Sequence, residues 1–329
     1  MDLLWTILLA AVALYVTSAI LLFIVPTSVH HNHANKLPSL RLAAHRGGAG
    51  EFIENTMAAF DHCVQIGFDM LEIDVQETQD GVVVISHDND MSRVTSSGNL
   101  ISETLYEDLP LYNNNLPLQF DRVRCLSSQA DLSFVKLDDL FEKHANVVVH
   151  IDTKEGTPSL IKKVASLVAK HDRFENTVWG NMGEAKNSLC YSENPNIAMF
   201  MSIPKAAITY LMFYLGMVGF LPMKEAVFDI PMPSTILRQY SDVLSVKQKV
   251  LGRVAGFLMM NRLVFWHLQR RGINVVLFVL NQEEDFIEAS KYGVDGIMTD
   301  FPSRLSKFYS DYNSNEEMSK ILPSGSERQ

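Results

Sequence analysis

Eight short apolar runs, spread from residue 40 to residue 299 with helical segments between them, constrain this chain more than any other feature. They are "LRLAAH" (40–45), "DMLEIDV" (69–75), "NVVVHID" (146–152), "NTVWG" (176–180), "NIAMFMS" (196–202), "EAVFDI" (225–230), "INVVLFVL" (273–280) and "VDGIMT" (294–299). Most are continuous rather than alternating, as parallel strands covered on both faces are. Plausible helices such as "LIKKVASLVAKH" and "EEDFIEASKYG" lie between them. Eight β/α units in this span predict a TIM (β/α)8 barrel over residues 40–309, with a doubly wound sheet as the other arrangement to weigh. Strands five and six are the short ones.

One segment departs from the βα rhythm. "DMLEIDVQETQDGVVVISHD" places two strand-like runs around Asp80-Gly81. The gap is too short for a parallel crossover, so a β-hairpin insertion after strand two is expected. Glu72 and Asp74 are two residues apart and share a face of their strand. With Asp80 and Gly81 as a two-residue turn, Asp74 faces His87. A slip of one residue in register would undo that pairing.

Leu3 to Val25 is a run of 23 residues without a charge. As a helix it rises roughly 35 Å, enough for a hydrocarbon core of about 30 Å. It lacks the basic start of a secretory signal and exceeds the usual apolar core of about 7–15 residues. A single-pass transmembrane anchor over 1–25 is therefore expected, then a linker over 26–39 carrying His30, His31 and His33. Lys36 and Arg41 after the run, against Asp2 before it, favour a cytosolic C-terminal domain. A polar insertion covers 89–140, and a disordered tail is expected over 310–329. The apolar run at 206–221 is too short to span, and spanning there would keep the barrel from closing. It reads either as a rim element meeting lipid or as an ordinary barrel helix.

The net charge is −10, which gives no footprint for nucleic acid. Three separated cysteines make neither a disulfide framework nor a zinc site.

In such a barrel the C-terminal strand ends form the site. They offer His45 and Arg46, then Glu72 and Asp74, then Asp152 and Lys154, with His87 returned by the hairpin and Asn281, Thr299 and Asp300 closing the ring. Glu72, Asp74 and Asp152 make an all-oxygen set suited to one hard divalent cation, Mg²⁺ in first place or Ca²⁺. His45 and His87 suit acid–base work, with His87 as a metal ligand the other option. Arg46 and Lys154 are the cations a phosphate needs.

The ordered motifs "AHRG", "ENT", "LEIDV", "TQDG…HD", "IDTK", "VLN" and "GVDGIMTDFP" resemble the glycerophosphodiester phosphodiesterase family over residues 40 to 309. The resemblance implies the barrel with its hairpin, a divalent metal at Glu72, Asp74 and Asp152, and acid–base roles for His45 and His87. It places Glu54 and Asn55 beside the site, orienting neighbours. Two positions depart: Asp152 stands where Glu is common, and Phe278 where Trp is usual. The N-terminal run, "HRGGAGE", "TVWGN" and "DIPMPS" look most like the membrane-anchored lysophospholipase D branch. That implies lysophospholipid substrates, release of lysophosphatidic acid with choline or an N-acylethanolamine, and endoplasmic reticulum or perinuclear membranes. No protein partner is expected. The alternatives are soluble glycerophosphodiesters, a sphingomyelinase-D-like activity, or an inactive membrane scaffold, against which the intact polar set argues.

Overall fold

The computed structural model describes residues 3–26, 37–126, 128 and 131–314. Most of the expected linker, with its three histidines, and the tail beyond residue 314 lie outside the described residues. The strands in chain order are β1 (Leu42–Ala44), β2 (Met70–Glu77), β3 (Val83–Ile85), β4 (Asn115–Pro117), β5 (Arg124–Leu126), β6 (Val148–Asp152), β7 (Thr177–Gly180), β8 (Ala198–Met199), β9 (Val227–Pro231), β10 (Asn274–Phe278) and β11 (Gly296–Thr299). The helices are α1 (Leu3–Ile24), α2 (Met57–Gln65), α3 (Leu137–Lys143), α4 (Pro158–Lys170), α5 (Glu184–Glu193), α6 (Ile203–Tyr214), α7 (Pro233–Gln239), α8 (Val246–Met259), α9 (Arg262–Arg270), α10 (Glu283–Ser290) and α11 (Pro302–Ser314).

All eight expected barrel strands form. The parallel order is β8-β7-β6-β2-β1-β11-β10-β9, and a single parallel bridge, Phe200 to Val227, joins its two ends. The thin seam falls at the two strands whose apolar runs are short. The apolar run at 206–221 begins inside α6, the barrel helix after β8, which Ser202 caps through the Lys205 amide. The last helix runs to Ser314, past the boundary expected at 309.

Period-two alternation sorts the strands into two faces. Leu71, Ile73, Val149, Ile151, Phe228, Val275 and Leu277 point outward and pack under the helices. Ala43, Met70, Val148, Val178, Ala198, Val227, Val276 and Met298 fill the barrel's lower interior. Two residues further along the strands the interior turns polar, with Glu72 beside His150 and Asp74 beside Asp152 in register. The apolar floor thus supports a polar mouth.

Gly296 shows how tightly the β1–β11 seam is closed, since a Cβ there would lie 2.1 Å from the Leu40 carbonyl oxygen. Gly296→Ala is expected to cost about 1–3 kcal/mol by overpacking, read as a lowered unfolding midpoint with circular dichroism.

The hairpin forms, but its register differs from the expected one. Val75 pairs with Ile85 and Glu77 with Val83, so Asp74 faces Ser86 and not His87. The loop has three residues, Gln79 to Gly81, because the Thr78 amide donates to the Val82 carbonyl at 3.0 Å. Gly81 takes φ 82°, the left-handed position such a loop needs. His87 reaches the mouth instead from the turn after β3.

Among the described residues, α1 is the one helix long and apolar enough to cross a membrane. Its second half leans on the barrel. The Tyr15 hydroxyl donates to the Leu215 carbonyl at 3.0 Å, and the Phe23 ring stacks on His267 with centroids 5.0 Å apart.

Candidate active site

The polar mouth is one cavity, open to solvent, walled by side chains from β2, β6, β9, β10 and β11 and from the loops after the strands. His45 and Arg46 stand on a tight turn directly after β1, where Arg46 has a left-handed backbone (φ 49°). Such a conformation in a non-glycine residue is held by its surroundings. Here the Arg46 amide donates to Glu72 Oε2 at 3.0 Å, and its carbonyl accepts from the Asn55 amide at 2.9 Å.

His45 is buried. Its Nδ1 lies 2.7 Å from Asp300 Oδ1, and Asn281 Nδ2 donates to the other Asp300 oxygen at 2.9 Å. A carboxylate on Nδ1 fixes the proton there and leaves Nε2 to the cavity, 4.0 Å from Glu72 Oε2. His87 repeats the arrangement. Its Nδ1 is 2.6 Å from Asp88 Oδ1, and Arg93 Nε binds the same carboxylate. His45 and His87 therefore line one cavity, each oriented by a carboxylate behind it.

Lys154 Nζ sits between Asp74 Oδ1, at 2.7 Å, and Asp152 Oδ2, at 2.6 Å. The remaining oxygens, Asp74 Oδ2 and Asp152 Oδ1, are buried without a hydrogen bond. Burial, and then the charge of Asp74, push the Glu72 carboxyl up. Burial also raises Asp152 against the pull of Lys154. For Asp74 burial is outweighed by Lys154, Arg46 and His87, which hold it well below the usual carboxylate range. Lys154 stays firmly protonated because Asp74 and Asp152 overcome its desolvation.

Arg46 is committed on most sides. Nη1 donates to Glu54 Oε1 at 3.1 Å and Nη2 to Gln119 Oε1, while Nε lies 3.4 Å from Asp74 Oδ2. Glu54 also receives both Nη groups of Arg93, at 2.9 and 2.7 Å. Burial would raise Glu54, but Arg46 and Arg93 outweigh it and bring it down to about 2. Asn55 is fully buried with φ 59°.

The cavity thus gathers His45, Arg46, Glu72, Asp74, His87, Asp152 and Lys154, while Glu54 and Asn55 lie behind Arg46. It also holds residues that reading the sequence missed. His150 Nε2 lies 2.7 Å from Asp229 Oδ2 on the cavity floor. Asp229 outweighs burial and raises the His150 imidazole's affinity for its proton. Counting by two back from Asp152 would have found His150. Gln119 and Phe120 come from the insertion, where β4 and β5 form a separate ladder, and no local pattern announces them.

Residues 45–304 match the model of the glycerophosphoryl diester phosphodiesterase family. The chain belongs to that family. It is 38% identical over 307 residues to human "Lysophospholipase D GDPD1", covering 93% of this chain and 97% of that one. Against human "Lysophospholipase D GDPD3" it is 33% identical over 286 residues, covering 86% and 90%. The fold matches solved structures: a glycerophosphoryl diester phosphodiesterase domain from Mycobacterium tuberculosis has TM-score 0.60 at 13% identity, covering 83% of this chain and all of that one. An Oleispira antarctica phosphodiesterase in complex with the product sn-glycerol-3-phosphate has TM-score 0.55 at 20% identity, covering 83% and 97%. As a member of the family, the protein is a phosphoric diester hydrolase.

Within this site Glu54 links charge to stability. Its carboxyl falls from 4.5 to about 2 on folding, so its contribution is full above about pH 4.5 and is lost as the pH drops toward 2. The shift corresponds to about 3 kcal/mol. Glu54→Gln is expected to unfold at a lower temperature at pH 7 and to show a flatter decline between pH 4.5 and 2 than the parent. Thermal unfolding across that range checks both.

Proposed function

We propose that this protein is a membrane-anchored lysophospholipase D, hydrolysing lysoglycerophospholipids on the headgroup side of the phosphate. The observation that carries the reading is the pair of imidazoles, His45 on Asp300 and His87 on Asp88, facing one cavity beside Lys154. Membrane attachment through α1 and the two lysophospholipase D relatives favour a lipid over a soluble diester. Choline and N-acylethanolamine headgroups are the expected leaving groups, and the membranes of the endoplasmic reticulum or nuclear periphery the expected location.

The chemistry follows from the side chains. A lysolipid keeps a free hydroxyl vicinal to its phosphate. His45 Nε2 takes the proton of that hydroxyl, whose oxygen attacks phosphorus. The bond from phosphorus to the headgroup oxygen breaks, and His87 gives the leaving oxygen a proton. Water, deprotonated by His87, then attacks the cyclic phosphate; the bond from phosphorus to the glycerol oxygen that first attacked breaks, and His45 returns its proton to that oxygen. Lys154, and Arg46 through its Nε, supply positive charge to the phosphate. Asp300 and Asp88 hold each imidazole in the tautomer that its step requires.

The donor chemistry at Glu72, Asp74 and Asp152 fits a hard divalent cation, because two of the three carboxylates keep a buried oxygen that no hydrogen bond uses. Among the described residues no three ligands converge as placed; the Lys154 ammonium lies between Asp74 and Asp152. We assign these three carboxylates as the ligands of one Mg²⁺ or Ca²⁺, which when bound supplies Lewis-acid polarisation of the phosphate. EDTA is expected to lower hydrolysis of lysophosphatidylcholine at least roughly tenfold, with recovery on adding Mg²⁺. Full activity in EDTA would leave Lys154 and Arg46 as the cations responsible.

A further inference from the structure

Helix α8 is unlike the other barrel helices in what it buries. It is 14 residues long, begins with a capping box at Ser245 and Gln248, and has no buried residue. Gly252 and Gly256 face α7, where added Cβ atoms would meet Leu237 and Pro233. The opposite stripe is apolar and open, with Val246 78%, Leu251 66% and Phe257 82% exposed. A helix with an apolar face turned to water is unexplained as part of a soluble barrel.

Two observations say what covers it. First, α8 itself carries Lys247, Lys249 and Arg253 and no Asp or Glu, in a chain of net charge −10. Lys249 and Arg253 flank the apolar stripe by helical spacing, which is the pattern of a helix lying in a lipid interface. Second, the stripe is continuous with the surface that α1 uses. Tyr210 and Tyr214 of α6 donate to the Met259 and Leu258 carbonyls at the end of α8, at 2.7 and 2.6 Å. The same helix α6, through Phe213, meets Phe23 of α1.

We propose that α8, with the exposed face of α6 beside it, is a second membrane contact that lies in the headgroup region of an anionic bilayer. The inference rests on the reading of α1 as the anchor in that bilayer. It also ties the contact to the site. α7 leads into α8, and Gln239 at its end donates to the Phe120 carbonyl at 2.6 Å, at the cavity mouth. Docking α8 on lipid sets the mouth next to the phase that holds a lysolipid.

The test uses the full chain in phosphatidylcholine–phosphatidylserine vesicles, with an environment-sensitive probe on a single introduced cysteine, the native three being buried. Probes are placed by Phe257→Cys, by Leu8→Cys in α1, and by Glu142→Cys on α3 as a water-facing control. Brominated lipid is expected to quench the probes at Phe257 and Leu8 but not at Glu142. The triple variant Lys247→Glu, Lys249→Glu, Arg253→Glu, checked for folding by circular dichroism, is expected to lower the docking equilibrium at Phe257 about a hundredfold while Leu8 stays quenched. Quenching at Leu8 alone overturns the α8 contact and leaves the anchor. Quenching at neither overturns both. A blue-shifted Phe257 probe that bromine does not quench overturns the lipid contact in favour of a protein, such as a second copy, on this face.

Discussion

His45→Ala is expected to lower kcat for lysophosphatidylcholine by about 10³, within the range of about 10²–10⁴ that a positioned general acid–base contributes. The geometry makes the loss specific. His45 Nδ1 is 2.7 Å from Asp300, and Asp300 keeps its bond from Asn281 at 2.9 Å when the imidazole is gone. The fold is therefore expected to survive, which an unchanged circular dichroism spectrum checks. His45→Gln sharpens the comparison, because an amide can still donate to Asp300 but cannot take the hydroxyl proton at neutral pH. If proton transfer is the role, both variants lose activity together. If His45 only braces Asp300, the glutamine variant keeps most of the rate.

A lysolipid lacking the hydroxyl next to the phosphate is the second large effect, with an expected rate loss of at least about 10³. Well-oriented intramolecular attack is worth effective molarities of roughly 10⁵–10⁸ M. The cavity offers imidazoles, with His45 and His87 at its mouth and His150 on its floor, and cations, but no serine or cysteine among the described residues that wall it, so the substrate is left to supply its own nucleophile. Comparing the 2-deoxy compound with its parent at saturating concentration reads the effect in kcat. Equal rates would mean that water attacks phosphorus directly.

The barrel was legible because parallel strands covered on both faces read as unbroken apolar runs. "NVVVHID" and "INVVLFVL" could hardly be anything else. The seam between β8 and β9 was the weak place in the sequence, and it is also the weak place in the structure, where one bridge carries the closure. That Glu72 and Asp74 share a face was legible from strand periodicity, and Asp152 from its place at a strand end. The hairpin register was not. A two-residue and a three-residue loop differ by one residue around Asp80-Gly81, and the left-handed Gly81 decides between them. His150 and Asp229 were hidden inside runs that read as core. The pairing of His45 with Asp300 spans 255 positions, and only the closing of β1 on β11 brings them together. Gln119 and Phe120 belong to a long insertion whose path over the mouth depends on contacts with α7 rather than on local propensity.

The bond that the enzyme breaks decides most directly between a lysophospholipase D and other lipid hydrolases. Full-length protein incubated with lysophosphatidylcholine in mixed micelles with Mg²⁺ can be followed by mass spectrometry for choline, lysophosphatidic acid and free fatty acid. The expected result is choline and lysophosphatidic acid in equal amounts, with no fatty acid, and loss of both products in His45→Ala. Release of fatty acid, or choline release that His45→Ala leaves unchanged, would contradict it.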